Sequence, residues 1–142
     1  EKQEQTKFQY SVESPTTKSY CFTGKGERSG NIDLCIYDKG KRCNLIEFKA
    51  MNPKLSSYTK DFEKLFCDES NLVNYFIQIL ENTNNGTIPN IERKYRKAIE
   101  NIREKQTVFQ SSLKIFICDM GKKSIMKYEI DKNGLLSDIE IM

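Results

Sequence analysis

Three ionisable residues stand in two apolar segments of the first third of the chain. Asp33 lies between Ile32 and Leu34, and Glu47 and Lys49 interrupt the next apolar run. Charged side chains are costly to place in such surroundings unless they are paired or bind a metal ion. Two carboxylates at one point suit a hard divalent cation, Mg²⁺ or Mn²⁺, and a lysine beside them can offset developing negative charge. These residue types fit metal-assisted hydrolysis of a phosphodiester bond.

The elements around these residues predict that they converge. Residues 31–38 and 43–51 are both rich in strand-forming side chains, and a short glycine-containing turn between them predicts an antiparallel hairpin. Glu47 and Lys49 are two residues apart on one strand, so their side chains leave the same face. Asp33 on the partner strand lies within cross-strand reach of both.

The segments Gly30-Asn31-Ile32-Asp33-Leu34-Cys35-Ile36 and Leu45-Ile46-Glu47-Phe48-Lys49-Ala50 resemble the signature of the PD-(D/E)xK, or restriction-endonuclease-like, nuclease superfamily. The resemblance implies that Asp33 and Glu47 bind the metal ion, that the Phe48 carbonyl adds a ligand and that Lys49 is the catalytic lysine. It also implies an α/β (or α+β) fold with an αβββαβ core, in which helices flank a mixed central sheet.

The match departs from the family pattern at two points. Ile32 stands where the name of the motif has a proline. The further acid that many members supply from a preceding helix is not obvious, and Glu13 is the candidate for it, ahead of Glu27 in a glycine-rich loop.

The resemblance implies a metal-dependent endonuclease that acts on nucleic acid, DNA rather than RNA. An alternative is a catalytically silent module that keeps the nuclease fold for nucleic-acid binding or assembly in a larger protein. The E-x-K tripeptide alone also fits a cross-strand ion pair on an exposed strand, which would contribute little stability.

Composition narrows the possible chemistry. The 142 residues suit one domain, possibly excised from a larger protein, with a net charge of +3. The chain has no histidine, which excludes Ser-His and Cys-His nucleophile pairs and imidazole zinc sites. Its five cysteines form no CxxC pair.

No apolar run reaches the roughly 20 residues of a membrane span, so a cytoplasmic protein without a membrane partner is expected. A homodimer would suit cleavage of both strands of a duplex.

The remaining elements alternate between strand and helix patterns. Residues 8–14 and 19–23 are strand-capable, and 113–118 and 125–130 predict a central and a peripheral strand. Apolar residues at three- and four-residue spacing from Phe62 to Leu80 predict one helix or two abutting helices, and a further helix is predicted from about 90 to 106.

Two basic regions are candidates for contact with phosphates. Lys25 and Arg28 lie in the glycine loop of residues 24–30, which precedes a strand and therefore lacks the helix of a P-loop. The second predicted helix is rich in basic residues, namely Arg93, Lys94, Arg96, Lys97, Arg103 and Lys105. Glutamates intervene at helical spacing, so an ion-paired solvent face is the expected role of this helix.

Overall fold

A computed structural model describes residues 8–22, 26–105 and 108–141 of the chain. The elements are, in order, β1 (Phe8–Pro15), β2 (Asn31–Asp38), β3 (Lys41–Ala50), α1 (Leu55–Cys67), β4 (Val73–Leu80), α2 (Thr87–Arg103), β5 (Ser112–Asp119), β6 (Ser124–Ile130) and β7 (Leu136–Ile141). The class is mixed α/β, as predicted, with two helices and one sheet in this part of the chain.

The seven strands form one mixed sheet in which the spatial order follows the chain order. β1, β2 and β3 form an antiparallel meander, and β5, β6 and β7 form another. The central strands β3, β4 and β5 are parallel to one another, and α1 and α2 make the crossovers between them. A parallel pair needs such a crossover because a tight turn can only reverse the chain.

The β2–β3 hairpin sets the register of the chemistry-bearing residues. Its two-residue turn has positive φ at both Lys39 (50°) and Gly40 (79°), the conformation of a type I′ turn. A regular hairpin from this turn would place Ile46 opposite Asp33. A bulge in β3 between Arg42 and Asn44 shifts the pairing by one residue, so that Leu34 pairs with Ile46. Continuing that register places Glu47 opposite Asp33.

Both helices cover the same face of the sheet, and aromatic side chains fill the space between the layers. The Tyr58 and Phe62 rings of α1 each lie 5.3 Å from the Tyr95 ring of α2, measured between centroids. Phe76 of β4 packs edge-on against Phe62 at 5.1 Å. Such rings bury about 150–250 Å² each, so this cluster supplies much of the apolar burial that stabilises the fold.

The opposite face of the sheet carries no helix from the described part of the chain. Phe48 and Ile79 are exposed there by 44% and 42%, and Tyr75 and Phe116 stack on each other while half-buried. The prediction was a sheet flanked by helices. Among the described residues, helices cover only one face of it.

The predicted helical stretch from Phe62 to Leu80 is wrong in its second half. α1 ends at Cys67, and Val73–Leu80 is the parallel strand β4. Buried Asn74 and Gln78 lie on the helix-facing side of β4 with Phe76, and they interrupt an otherwise near-continuous apolar run. The remaining apolar residues recur at a helix-like spacing, whereas a central parallel strand normally reads as a near-continuous hydrophobic run.

Several other predictions are confirmed, with shifted ends. β1, β5 and β6 contain the predicted strands at 8–14, 113–118 and 125–130, and the second helix begins at Thr87 rather than near residue 90. Between residues 19 and 22, only Tyr20 makes a strand-like bridge, to Arg28. Thr23, Gly24, Lys25 and Gln106 lie outside the described residues. Among the described helices, neither has the length and apolar character required to span a membrane.

Candidate metal and catalytic site

A cleft of about 440 Å³ opens where β2 and β3 face the middle of α1. We call it the hairpin cleft. Charged residues of both signs line it, namely Asp33, Glu47, Lys49, Asp61 and Lys64. The structure thus brings the three residues of the predicted motif to one cavity, and α1 adds Lys60, Asp61 and Lys64.

Asp33 and Glu47 form the carboxylate pair of the cleft. Asp33 Oδ2 accepts a hydrogen bond of 2.8 Å from the Phe48 backbone N–H, which fixes the carboxylate beside β3. Glu47 is only 2% exposed, whereas Asp33 is half-buried. The backbone of Phe48 lies between its two charged neighbours on β3, and Phe48 also lines the cleft.

Lys49 points from β3 towards α1. Its Nζ lies 2.6 Å from Asp61 Oδ2, in ion-pair contact but not aligned to donate a hydrogen bond. The Lys49 side chain is 24% exposed, whereas that of Asp61 is 7% exposed, so the amine remains accessible from the cleft. Asp61 therefore anchors the predicted catalytic lysine.

Lys64 occupies the centre of the carboxylate cluster. Its Nζ donates to Glu47 Oε1, donates to the Asn31 carbonyl oxygen at 2.7 Å and lies 3.3 Å from Asp61 Oδ1. The Lys64 side chain is 4% exposed. A buried ammonium is tolerated here because three oxygens surround it.

These contacts explain the altered acidity of the cluster. Burial raises the pKa of Glu47 to about 8, the Lys64 ammonium lowers it in part, and the carboxylates of Asp61 and Asp33 raise it further. Burial lowers the pKa of Lys64, but Glu47 and Asp61 outweigh that effect, so its pKa lies above the ordinary value. Lys64 therefore remains an ammonium over the whole neutral range.

Asp61 and Lys64 were not predicted from the sequence. In α1 the apolar stripe Tyr58, Phe62, Leu65 and Phe66 packs on the sheet, and Asp61, Lys64 and Asp68 follow one another at three- and four-residue spacing beside it. A charged stripe at helical period next to a core stripe is a signal in the sequence. It usually indicates a solvated face, and only the position of α1 over the hairpin shows that this one is buried.

The structure does not bring Glu13 or Glu27 to the cleft. Glu13 lies exposed in β1 with a positive φ of 51°, and Glu27 is exposed in the loop before β2. Neither lines the cavity. The acidic residue that joins Asp33 and Glu47 there is instead Asp61, from the helix that follows β3.

The rim of the hairpin cleft is cationic and carries one aromatic ring. Arg28 and Lys60 line it together with Phe22, and Lys60 Nζ lies 5.3 Å from the centroid of the Phe22 ring. Tyr58, which precedes Lys60 on α1, is fully buried in the core.

The basic residues of α2 do not line this cleft. Lys94 binds Asn52 and the Pro53 carbonyl, and the ion pair of Lys97 with Glu100 lies on the surface, as expected for a solvent face.

The donor atoms of the cleft fit a divalent metal ion in type. Asp33, Glu47 and Asp61 offer carboxylate oxygens, the ligands that Mg²⁺ and Mn²⁺ prefer. One of these oxygens, Asp61 Oδ2, is buried and has no hydrogen-bond partner in the described part of the chain. Among the described residues, these carboxylates do not form a cluster that is already spaced to hold a metal ion. The amines of Lys49 and Lys64 contact Glu47 and Asp61 instead.

Comparison of the chain with models of protein families, with curated proteins and with solved structures finds no match. Its function is accordingly inferred from the geometry and chemistry of the hairpin cleft.

Proposed function

We propose that the chain is a divalent-metal-dependent nuclease domain that hydrolyses phosphodiester bonds, with DNA as the expected substrate. The observation that carries the proposal is the convergence of Asp33, Glu47 and Lys49 in one polar cleft. The element order β1–β2–β3–α1–β4 supports it, because it matches the βββαβ part of the αβββαβ core that the sequence resemblance implies. The leading helix of that core has no counterpart among the described residues.

The residues have distinct roles in the proposed reaction. Asp33 and Glu47 would hold Mg²⁺ or Mn²⁺, with the Phe48 carbonyl as a further ligand. The bound ion would stabilise charge on the phosphate and lower the pKa of a water molecule. Lys49, held by Asp61, would orient the attacking water or offset the charge that develops on the phosphate. Arg28 and Lys60 at the rim would bind neighbouring phosphates of the polyanion.

A second candidate is a catalytically silent nucleic-acid-binding module of a larger protein. The contact of Lys64 with Glu47 favours it, because this contact occupies a carboxylate that catalysis requires. For either function we infer a cytoplasmic protein, since all five cysteines are free thiols, as is usual in a reducing compartment.

The test is a cleavage assay with labelled single- and double-stranded DNA and RNA, in Mg²⁺, in Mn²⁺ and in chelator. We expect metal-dependent cleavage, and we expect Lys49→Gln to reduce the rate by about 100-fold or more because it removes a charge that acts in the transition state. Lys41→Gln, at the exposed start of the same strand, is the matched control. Retention of nucleic acid without cleavage in any condition would favour the silent module.

A further inference from the structure

We propose that Asp61 is the third acidic ligand of the metal ion, and that Lys64 is an internal counter-ion that is displaced when the metal binds. The inference rests on the proposed function, and it assigns the acid that the motif lacks to the helix after the hairpin. It also explains why the amines of Lys49 and Lys64 contact the carboxylates of the cleft.

The surroundings of Lys64 resemble those of a hard cation. Its Nζ contacts three oxygens, from Glu47, Asp61 and the Asn31 carbonyl, on three different elements. An ammonium is a compact charge with three donors, so it can substitute for a metal ion among oxygen ligands without matching its octahedral geometry. Without a cation at this point, Glu47 and Asp61 would repel each other in a buried setting.

Asp61 lines the cleft, and among the described residues its Oδ2 makes no contact other than the ion pair with Lys49. The residue is 5% exposed, and the contact with Lys49 is not aligned as a hydrogen bond. A carboxylate oxygen has more than one lone pair, so an oxygen with a single contact keeps the capacity for a further ligand. Coordination to a metal ion would use this capacity and leave Lys49 free to act on the substrate.

Lys64 has room to move once it is displaced. Its aliphatic stem packs closely on Gly30, where a Cβ atom would lie only 3.1 Å from Lys64 Cδ, so the movement concerns the end of the side chain. The open cleft in front of it has a volume of about 440 Å³. A displaced ammonium therefore stays within the cleft, where the proposed substrate phosphate binds, and a long flexible lysine side chain can make that movement at little cost.

The test is calorimetric titration of the full chain with Mn²⁺ alone. Lys64→Gln removes the charge and keeps a polar group that can donate to Asn31, and we expect it to bind Mn²⁺ about tenfold more tightly or better, because no cation must be displaced. Asp61→Asn should bind Mn²⁺ at least about tenfold more weakly than the wild type, as expected for the loss of a ligand. The control is Lys97→Gln on the exposed face of α2.

The outcomes separate the two proposals. Metal-dependent cleavage by the wild type, together with unchanged or weaker Mn²⁺ binding by Lys64→Gln, would overturn the role of Lys64 alone. Unchanged binding by Asp61→Asn would remove Asp61 as a ligand. Absence of Mn²⁺ binding in every protein would overturn this inference and the proposed function together.

If Lys64→Gln does not fold, NMR spectroscopy of the wild type tests whether the metal displaces Lys64. We expect added Mg²⁺ to move the NMR resonance of Lys64 Cε towards that of exposed lysines. A Lys64 signal that stays in place while signals of Asp33 and Glu47 shift would contradict the displacement.

Discussion

At the residue scale, a buried charge needs partners of the opposite sign. Glu47 is nearly inaccessible, and the nearest cation is a lysine from another element rather than Lys49 on its own strand. Lys49 pairs instead with Asp61. The Glu47–Lys64 and Lys49–Asp61 pairs are joined by a third contact, between Lys64 and Asp61, so any substitution in one pair changes the balance of the other.

Burial also controls the reactivity of the cysteines. Cys35 and Cys67 are fully buried, and burial raises the pKa of Cys35 and raises that of Cys67 to about 12. Only the thiolate reacts with alkylating reagents, so a raised pKa suppresses reaction at neutral pH. We expect Cys35 and Cys67 to resist iodoacetamide at pH 8, whereas the half-buried Cys21, Cys43 and Cys118 react.

Mass spectrometry of the peptides after timed alkylation measures this difference, and unfolding in urea is the control, because all five thiols should then react alike. Equal labelling of Cys67 and Cys43 in the folded chain would contradict the described packing of α1.

The motif residues were predictable because their signal is local. Asp33, Glu47 and Lys49 are charges in apolar strands on either side of a turn, and strand periodicity places Glu47 and Lys49 on one face. Asp61 and Lys64 were not predictable in the same way. Their role depends on the packing of α1 over the hairpin, which no spacing within the helix encodes.

At the element scale, Asp68 ties three segments together at the end of α1. The residue is fully buried, and its carboxylate accepts hydrogen bonds from Thr17, Lys18 and Tyr20 and pairs with Arg42 at 2.7 Å. These contacts attach the β1–β2 connection and the start of β3 to the helix that carries Asp61. The position of α1 over the hairpin cleft therefore depends on this anchor.

We expect Asp68→Ala to lower the free energy of unfolding by about 3–5 kcal/mol, because it leaves the partly buried Arg42 guanidinium without its carboxylate partner and several other donors without an acceptor. Urea unfolding followed by circular dichroism measures the loss. Asp38→Ala, at the exposed end of β2, is the control and should change stability by less than about 0.5 kcal/mol. A similar small effect of Asp68→Ala would mean that the anchor does not hold α1.

β4 was predicted as part of a helix, and it shows why the spacing of apolar residues alone can assign an element wrongly. Asn74 is buried because it accepts from the Leu45 N–H at 2.8 Å and donates to the Leu65 carbonyl, and Gln78 is buried because it donates to the Met51 carbonyl at 2.7 Å. These bonds link β4 to β3 and α1. Polar residues with long-range partners break the apolar pattern of a central strand, and the partners are visible only in the folded chain.

At the scale of the whole molecule, the parallel strands β3, β4 and β5 form the rigid centre, and the hairpin cleft lies to one side of it. β3 belongs both to the parallel centre and to the hairpin, so the site is built on a strand that is paired on both edges. Such a support holds side chains more firmly than a loop does, which suits the proposed reaction, in which a water molecule would be oriented against a phosphate.

The most direct test of the account compares the cleavage rates of the wild type, Asp33→Asn and Asp38→Asn on labelled DNA in Mn²⁺. Both substitutions convert an aspartate of β2 to its amide, but only Asp33 lies in the hairpin cleft. We predict that Asp33→Asn loses metal-dependent cleavage while Asp38→Asn cleaves at the wild-type rate. Equal cleavage by all three proteins would contradict the assignment of the site to this cleft.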